Sequence, residues 1–207
     1  MYKNPHGFTL IEILVSTAIF IIIMVMAMGA LLSVSAANNK AASIKTVMDN
    51  LNFALGSMSR SIQTGITYHC GNGSSPPGLP TPTDCSIGGT YLVFQADASV
   101  QTGCTTGSTC VVTYCRGSTS GTPSCGSTGS YILRNIYNGS SNSGLIPITA
   151  AEVVIDKLTF YVKGAPLGDS IQPKTTIIIS GHTQSGGTAP NTTFNVQTSV
   201  TQRLYDQ

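Results

Sequence analysis

A lone carboxylate, Glu12, stands at the mouth of an apolar run. Twenty residues, Ile13 to Leu32 (ILVSTAIFIIIMVMAMGALL), follow it without a charge. As a helix they reach about 30 Å, the thickness of a bilayer hydrocarbon core. The run reads as a membrane span, and Lys3 ahead of it favours a cytoplasmic N-terminus. A carboxylate at the centre of such a span costs roughly 2.5 to 3.5 kcal/mol on insertion scales, and somewhat less near its end. Glu12 therefore calls for a partner. A cut between Gly7 and Phe8 supplies one, because the new α-amino group lies four residues from Glu12 and is largely cationic at neutral pH.

The segment Gly7-Phe8-Thr9-Leu10-Ile11-Glu12, with the apolar run after it, resembles the type III signal of type IV pilins and type II secretion pseudopilins. The resemblance covers about the first thirty residues. It implies that a prepilin peptidase cleaves after Gly7 and N-methylates Phe8. It also implies that Glu12 pairs with the N-terminal amine of a neighbouring subunit as a filament grows. Major subunits of that family often carry a helix-weakening proline in mid-span, where this chain offers only Gly29. An ordinary secretory signal is a plainer alternative, with Lys3 as its basic region and Val34-Ser35-Ala36 as its cleavage site. Its apolar region would exceed the usual ~7 to 15 residues, and a glutamate inside its start has no purpose there. A single-pass anchor without an assembly role is the other alternative.

Beyond the span the helix is expected to continue. Ile44, Val47, Met48, Leu51, Leu55, Met58 and Ile62 recur at spacings of three and four, forming one apolar stripe, while Lys45, Asp49, Asn52 and Arg60 fall elsewhere. Arg60 in the last turn and Gly65 just past it form a stop signal. A helix from Phe8 to about Ile62 would be roughly 80 Å long.

The composition changes after Gly65. The stretch from Cys70 to Ser130 is rich in Gly, Ser, Thr and Pro and holds all six cysteines, at 70, 85, 104, 110, 115 and 125. Such a stretch buries little apolar surface alone and needs covalent help. An even number of cysteines on the exported side of a membrane reads as disulfides, with fifteen possible pairings. Loop closure favours nearest neighbours, Cys70 with Cys85, Cys104 with Cys110 and Cys115 with Cys125, each worth roughly 2 to 3 kcal/mol. Zinc is the rival use, but there is no C-x-x-C, and His69 and His182 lack a finger spacing.

Strand-like runs accompany the cysteines and then replace them: Tyr91 to Gln95, Val111 to Tyr114, Tyr131 to Tyr137, Val153 to Lys163, Thr175 to Ser180 and Thr193 to Gln202. Leu158, Phe160 and Val162 alternate with polar neighbours, as do Phe194, Val196, Thr198 and Val200, which argues antiparallel strands with one buried face. Turn signals such as Asn138-Gly139 and Gly164-Ala165-Pro166 separate them. The expected class is α+β. It resembles the pilin fold, in which the rear of a long first helix packs on an antiparallel sheet. Five segments follow: a leader at 1–7, a transmembrane and assembly helix at 8–33, and its amphipathic continuation at 34–64. A Cys-rich loop region with short strands spans 65–130, and an antiparallel sheet spans 131–207. Phe194 to Arg203 is similar to the last strand of larger minor pilins and pseudopilins.

Composition excludes several classes. Only 9% of residues are charged and the formal net charge is +2, so there is no basic stripe for nucleic acid. The chain has eight acidic residues and three histidines, and no G-x-S-x-G, H-E-x-x-H, Walker or Rossmann fingerprint. Asp84, Asp97 and Asp169 read as turn residues, since no D-x-D-x-D calcium spacing is present. His182 reads as a solvated loop side chain. No enzyme activity, cofactor or metal is expected. The expectation is a structural, minor subunit of a type IV pilus or type II secretion pseudopilus. Its partners would be other pilin or pseudopilin subunits, prepilin peptidase and an inner-membrane assembly platform. It would cross the inner membrane once, with its C-terminal part exported, before joining a periplasmic or cell-surface filament. A tip adhesin or DNA-uptake module on a pilin stem is the alternative.

Overall fold

The computed structural model describes residues 7–73, 78, 80–96, 104, 109–126, 128–139, 143–183 and 192–203. It forms two compact units, Met1–Ala42 and Ser43–Gln207. One helix, α1 (Leu10–Gln63), supplies most of the first unit and opens the second.

In the first unit the large apolar residues of α1 are exposed, and among the described residues none of the most hydrophobic window is buried. By length and composition this helix can cross a membrane.

In the second unit α1 buries Val47, Leu51, Ala54, Leu55, Met58, Ser61 and Ile62. These fall at i, i+4, i+7, i+8, i+11, i+14 and i+15, a continuous apolar stripe on a 3.6-residue helix. Ala54 and Ser61 join the expected set, while Ile44 and Met48 stay partly open. They border a hollow of about 310 Å³ shared with Phe194 and Val196, because the sheet beside them ends there.

The stop after Gln63 differs in cause from the expected glycine cap. Gly65 has no positive φ. It is small because a Cβ would lie 2.5 Å from Cδ2 of Phe94. The helix end is closed from elsewhere. The Tyr68 hydroxyl reaches the carbonyls of Ile62 (2.5 Å) and Gly65 (2.7 Å), and the Arg203 N–H donates to the Gln63 carbonyl at 2.8 Å. These bonds satisfy carbonyls that a helix terminus leaves orphaned.

Two antiparallel sheets follow. The first has β1 (Ile66–Gly71), β2 (Tyr91–Ala96), β3 (Cys110–Ser118), β4 (Ser124–Cys125), β5 (Tyr131–Tyr137) and β6 (Ile146–Pro147), in the order β1-β2-β3-β5-β6 with β4 beside β3. The second is β7 (Val153–Lys163), β8 (Lys174–Thr183) and β9 (Thr193–Thr201), in that order. One long helix, antiparallel sheets and disulfides make an α+β, pilin-like arrangement.

The two sheets bury their strands differently. In β7, Leu158, Phe160 and Val162 are buried and their neighbours are not, as alternation predicts. In β2, Tyr91 to Phe94 are all buried, because the first sheet is covered on both faces. Leu92, Phe94, Val112 and Tyr114 face the stripe of α1 in the main core, whereas Tyr91, Val93, Val111 and Leu133 form a second cluster with Cys115 and Cys125. An unbroken apolar run such as YLVF is the signature of a strand buried on two sides.

The sheets are joined at the edge of β7. Gly89 exchanges two backbone bonds with Phe160 (2.7 and 2.9 Å), and Cys85 N–H donates to the Val162 carbonyl at 2.9 Å. Arg116 of β3 donates from Nη1 to the carbonyls of Gly129 and Ile155, both at 3.3 Å, beside a bulge between Ile155 and Lys157.

Met58 is fully buried and Phe53, five residues earlier on α1, is 77% exposed. Met58→Ala is expected to lower unfolding stability by roughly 2 to 5 kcal/mol. Phe53→Ala should fall within about 0.5 kcal/mol of the parent. Urea titration of the detergent-solubilised protein measures both.

Candidate processing and assembly site

The proposed cleavage point lies just ahead of α1. Gly7, Phe8 and Thr9 are exposed and outside the helix, which begins at Leu10. Backbone there is free to lie extended in another protein's cleft. Among the described residues nothing lies within 4 Å of a Cβ built on Gly7, and its φ is not in the left-handed region. The chain's own sterics therefore do not require glycine at 7. Phe8 is 79% exposed. The rest of the leader, with Lys3 and His6, lies outside the described residues.

Local bonding explains where the helix starts. The Thr9 carbonyl accepts from the N–H groups of Glu12 (3.1 Å) and Ile13 (3.3 Å), which makes Thr9 the N-cap. Thr9 and Glu12 stand three apart, the spacing of a capping box, and Glu12 is the acidic residue of the first turn. Sequence reasoning passed over this pattern, although Thr-x-x-Glu before an apolar run is visible in the letters alone. A carboxylate here also meets the positive end of the helix dipole.

The cysteines are all placed. Cys70 is bonded to Cys85, Cys104 to Cys110 and Cys115 to Cys125. The first bond holds the residue 85–89 stretch where the two sheets join, and the third ties β4 to β3 over the outer face of the first sheet.

The remaining polar candidates are structural. The His69 ring lies 5.9 Å from that of Tyr91, with Nδ1 2.8 Å from the Thr81 carbonyl. His182 is a correction: it belongs to β8 rather than a loop, and its Nδ1 lies 2.9 Å from Oδ2 of Asp156 at the β7 bulge. Only the three-dimensional register brings that pair together. Asp169 accepts from the Ile171 N–H at 2.8 Å, two residues on, as turn residues do, whereas Asp84 accepts from the Ala165 N–H at 2.7 Å, a long-range tie to the β7–β8 connection rather than a local turn bond. Asp97 lies outside the described residues. Burial pushes the phenols of Tyr68 and Tyr114 up; for Tyr114, Ser61 and Arg134 act in the opposite direction. Both therefore stay protonated at physiological pH. Among the described residues no group of three or more His, Cys, Asp or Glu side chains is arranged to hold a metal ion.

Residues 2–28 match the family model described as the prokaryotic N-terminal methylation motif. No curated protein and no solved structure matches the chain. The N-terminal segment is thus a type IV pilin-like prepilin signal, which indicates prepilin processing. Signal and apolar helix together anchor the chain in a membrane. The motif belongs to structural subunits, which assemble with other pilins after processing by prepilin peptidase.

Removing one crosslink tests the third disulfide. A Cys115→Ala/Cys125→Ala double variant is expected to lose about 2 to 3 kcal/mol. The loss should show as a lower urea midpoint at nearly unchanged slope.

Proposed function

We propose that this chain is a minor structural subunit of a type IV pilus or of the related type II secretion pseudopilus. The observation that carries the reading is the methylation motif at residues 2–28 running into a helix whose most hydrophobic window is, among the described residues, unburied. Such a surface is stable in lipid and equally stable among other helices of its kind. Residues 1–7 are the leader, 8–33 the span that becomes the filament core, and 34–64 its continuation. The Cys-rich 65–130 stretch and the 131–207 strands form the exported part.

The mechanism has four steps. The prepilin inserts once across the inner membrane, and a prepilin peptidase cuts between Gly7 and Phe8. Gly7 serves the peptidase rather than the fold, since the chain leaves open space around it. The enzyme then methylates the Phe8 amine. An assembly platform extracts the subunit, and Glu12 meets the amine of a neighbouring subunit, setting the axial register. A charge buried beside its partner is better suited to registry than to stability. Assignment as a minor subunit rests on the long closing strand, Thr193–Thr201, and on Gly29 in place of a mid-span proline.

Two measurements test this. Protein recovered from cells should begin at Phe8 and weigh one methyl group more than the bare sequence; a chain beginning near Ala37, or an intact Met1, defeats the proposal. Glu12→Ala should insert and be processed normally yet be depleted at least about tenfold from sheared filaments, the size of one lost charge pairing. Incorporation at parental levels would remove Glu12 from the mechanism.

A further inference from the structure

The second sheet carries a like-charge pair for which the fold offers no reason. Lys163 ends β7, Lys174 begins β8, and the two are directly opposed in the antiparallel register, both exposed. Opposed residues in such a pair share a face with Cβ atoms about 4.5 to 5.5 Å apart, and like charges there destabilise the sheet. Among the described residues neither lysine has an acidic partner; the ion pair on these strands, Asp156 with His182, lies at their other end. Asp84, near the same turn, has its Oδ1 engaged by the Ala165 N–H.

A hollow of about 320 Å³ opens beside the pair, lined by Lys163, Lys174, Tyr161, Thr176, Val162 and Ser86. Its floor is the outward row of the sheet, where Tyr161 opposes Thr176. Its wall is the turn from Cys85 to Gly88. That turn is closed by the Gly88 N–H on the Cys85 carbonyl (3.2 Å), fastened to β7 through the Val162 carbonyl and crosslinked to Cys70. Gly88 sits at φ +91°, and a Cβ there would come 2.8 Å from Cγ2 of Thr159 and 3.2 Å from the Tyr161 ring. The wall therefore presses against the row that carries the lysines, and the volume is at the small end of ligand pockets.

We propose that this hollow binds one acidic sugar residue of a glycan. The two ammonium groups bridge its carboxylate, the ring lies against Tyr161, and Thr176 and Ser86 meet its hydroxyls. Two directly opposed cations at one end of a small open hollow suit a single anion, whereas a phosphodiester backbone needs a longer row of them. Further along the same face, Ser180, Asn195, Gln197 and Ser199 offer hydroxyls and amides suited to further sugar units, and one more cation, Lys157, stands opposite Ser180.

The test uses the full-length protein in detergent micelles, with glucuronate, glucose and inorganic phosphate as separate probes followed by ligand-observed NMR titration. Glucuronate should bind, glucose should not, and phosphate should bind more weakly than glucuronate. Lys163→Gln and Lys174→Gln should each weaken glucuronate at least about tenfold, the loss of one charge-assisted hydrogen bond. Neither should lower Tm, because each relieves the repulsion. Tyr161→Ala should weaken glucuronate while leaving phosphate unchanged. Parental affinity in both lysine variants, or equal binding of glucose, overturns the site; phosphate binding as tightly as glucuronate overturns the sugar assignment. Binding is read on the isolated subunit, so the outcome does not depend on filament assembly.

Discussion

From Val47 to Ile62, α1 presents an apolar stripe that must leave water, and the second unit is organised around covering it. The core that accepts the stripe draws Tyr68, Phe94 and Tyr114 from the first sheet and Phe160, Ile177 and Ile179 from the second. Two sheets serving one helix must then be held to each other, and that is where the less obvious bonds fall. The Gly89–Phe160 exchange, the reach of Arg116 to the β7 bulge, and the Cys70–Cys85 disulfide all act at that junction. Closure of the helix end by Tyr68 and Arg203 belongs to the same requirement, since an apolar stripe ending in open carbonyls would admit water to the core.

Covering the stripe also explains the covalent economy. The segment between β1 and β5 is too rich in Gly, Ser, Thr and Pro to fold on its own, yet it contributes β2 and β3, the most completely buried strands of the first sheet. Each disulfide closes a short loop next to one of those strands, with sequence separations of 15, 6 and 10. Short loops give a modest entropic gain apiece, about 2 to 3 kcal/mol, which is comparable with what a single buried side chain supplies. The crosslinks thus stand in for apolar contacts that the loop sequences do not offer.

How much of this was legible depended on how local each signal is. The helix, its stripe and the alternating strands β7 and β9 announce themselves through periodicity, which one covered face imposes directly. The run Tyr91 to Phe94 was visible as a strand, but its burial on both faces depends on the Cys115–Cys125 loop folding back over it. β1 escaped because it is irregular: its register shifts between Ile66 and His69, and Thr67 takes φ +60°. β4 and β6, two residues each, are shorter than any period. Ile44 and Met48 fit the stripe by spacing, yet coverage stops at β9, a boundary set by the width of a sheet and not by the helix sequence. The signal around Gly7 and Glu12 was the clearest part of all, being contiguous in the chain.

That clarity leaves the energetics of Glu12 to settle. Its first-turn position gives the carboxylate a local benefit from the helix dipole of about 0.3 to 1 kcal/mol and at most about 2. Insertion near the mouth of a span costs less than the roughly 2.5 to 3.5 kcal/mol of the bilayer centre, so in the membrane the local benefit offsets much of the penalty. Within a bundle of neighbouring spans the balance changes. The carboxylate then loses lipid headgroups and water together, and no helix-end effect of that size matches the cost of an unpaired buried charge. Glu12 is therefore tolerable in the single inserted chain and demanding in the assembled one. On the proposed reading, that difference makes each incoming subunit stop at the register where a processed amine meets the carboxylate.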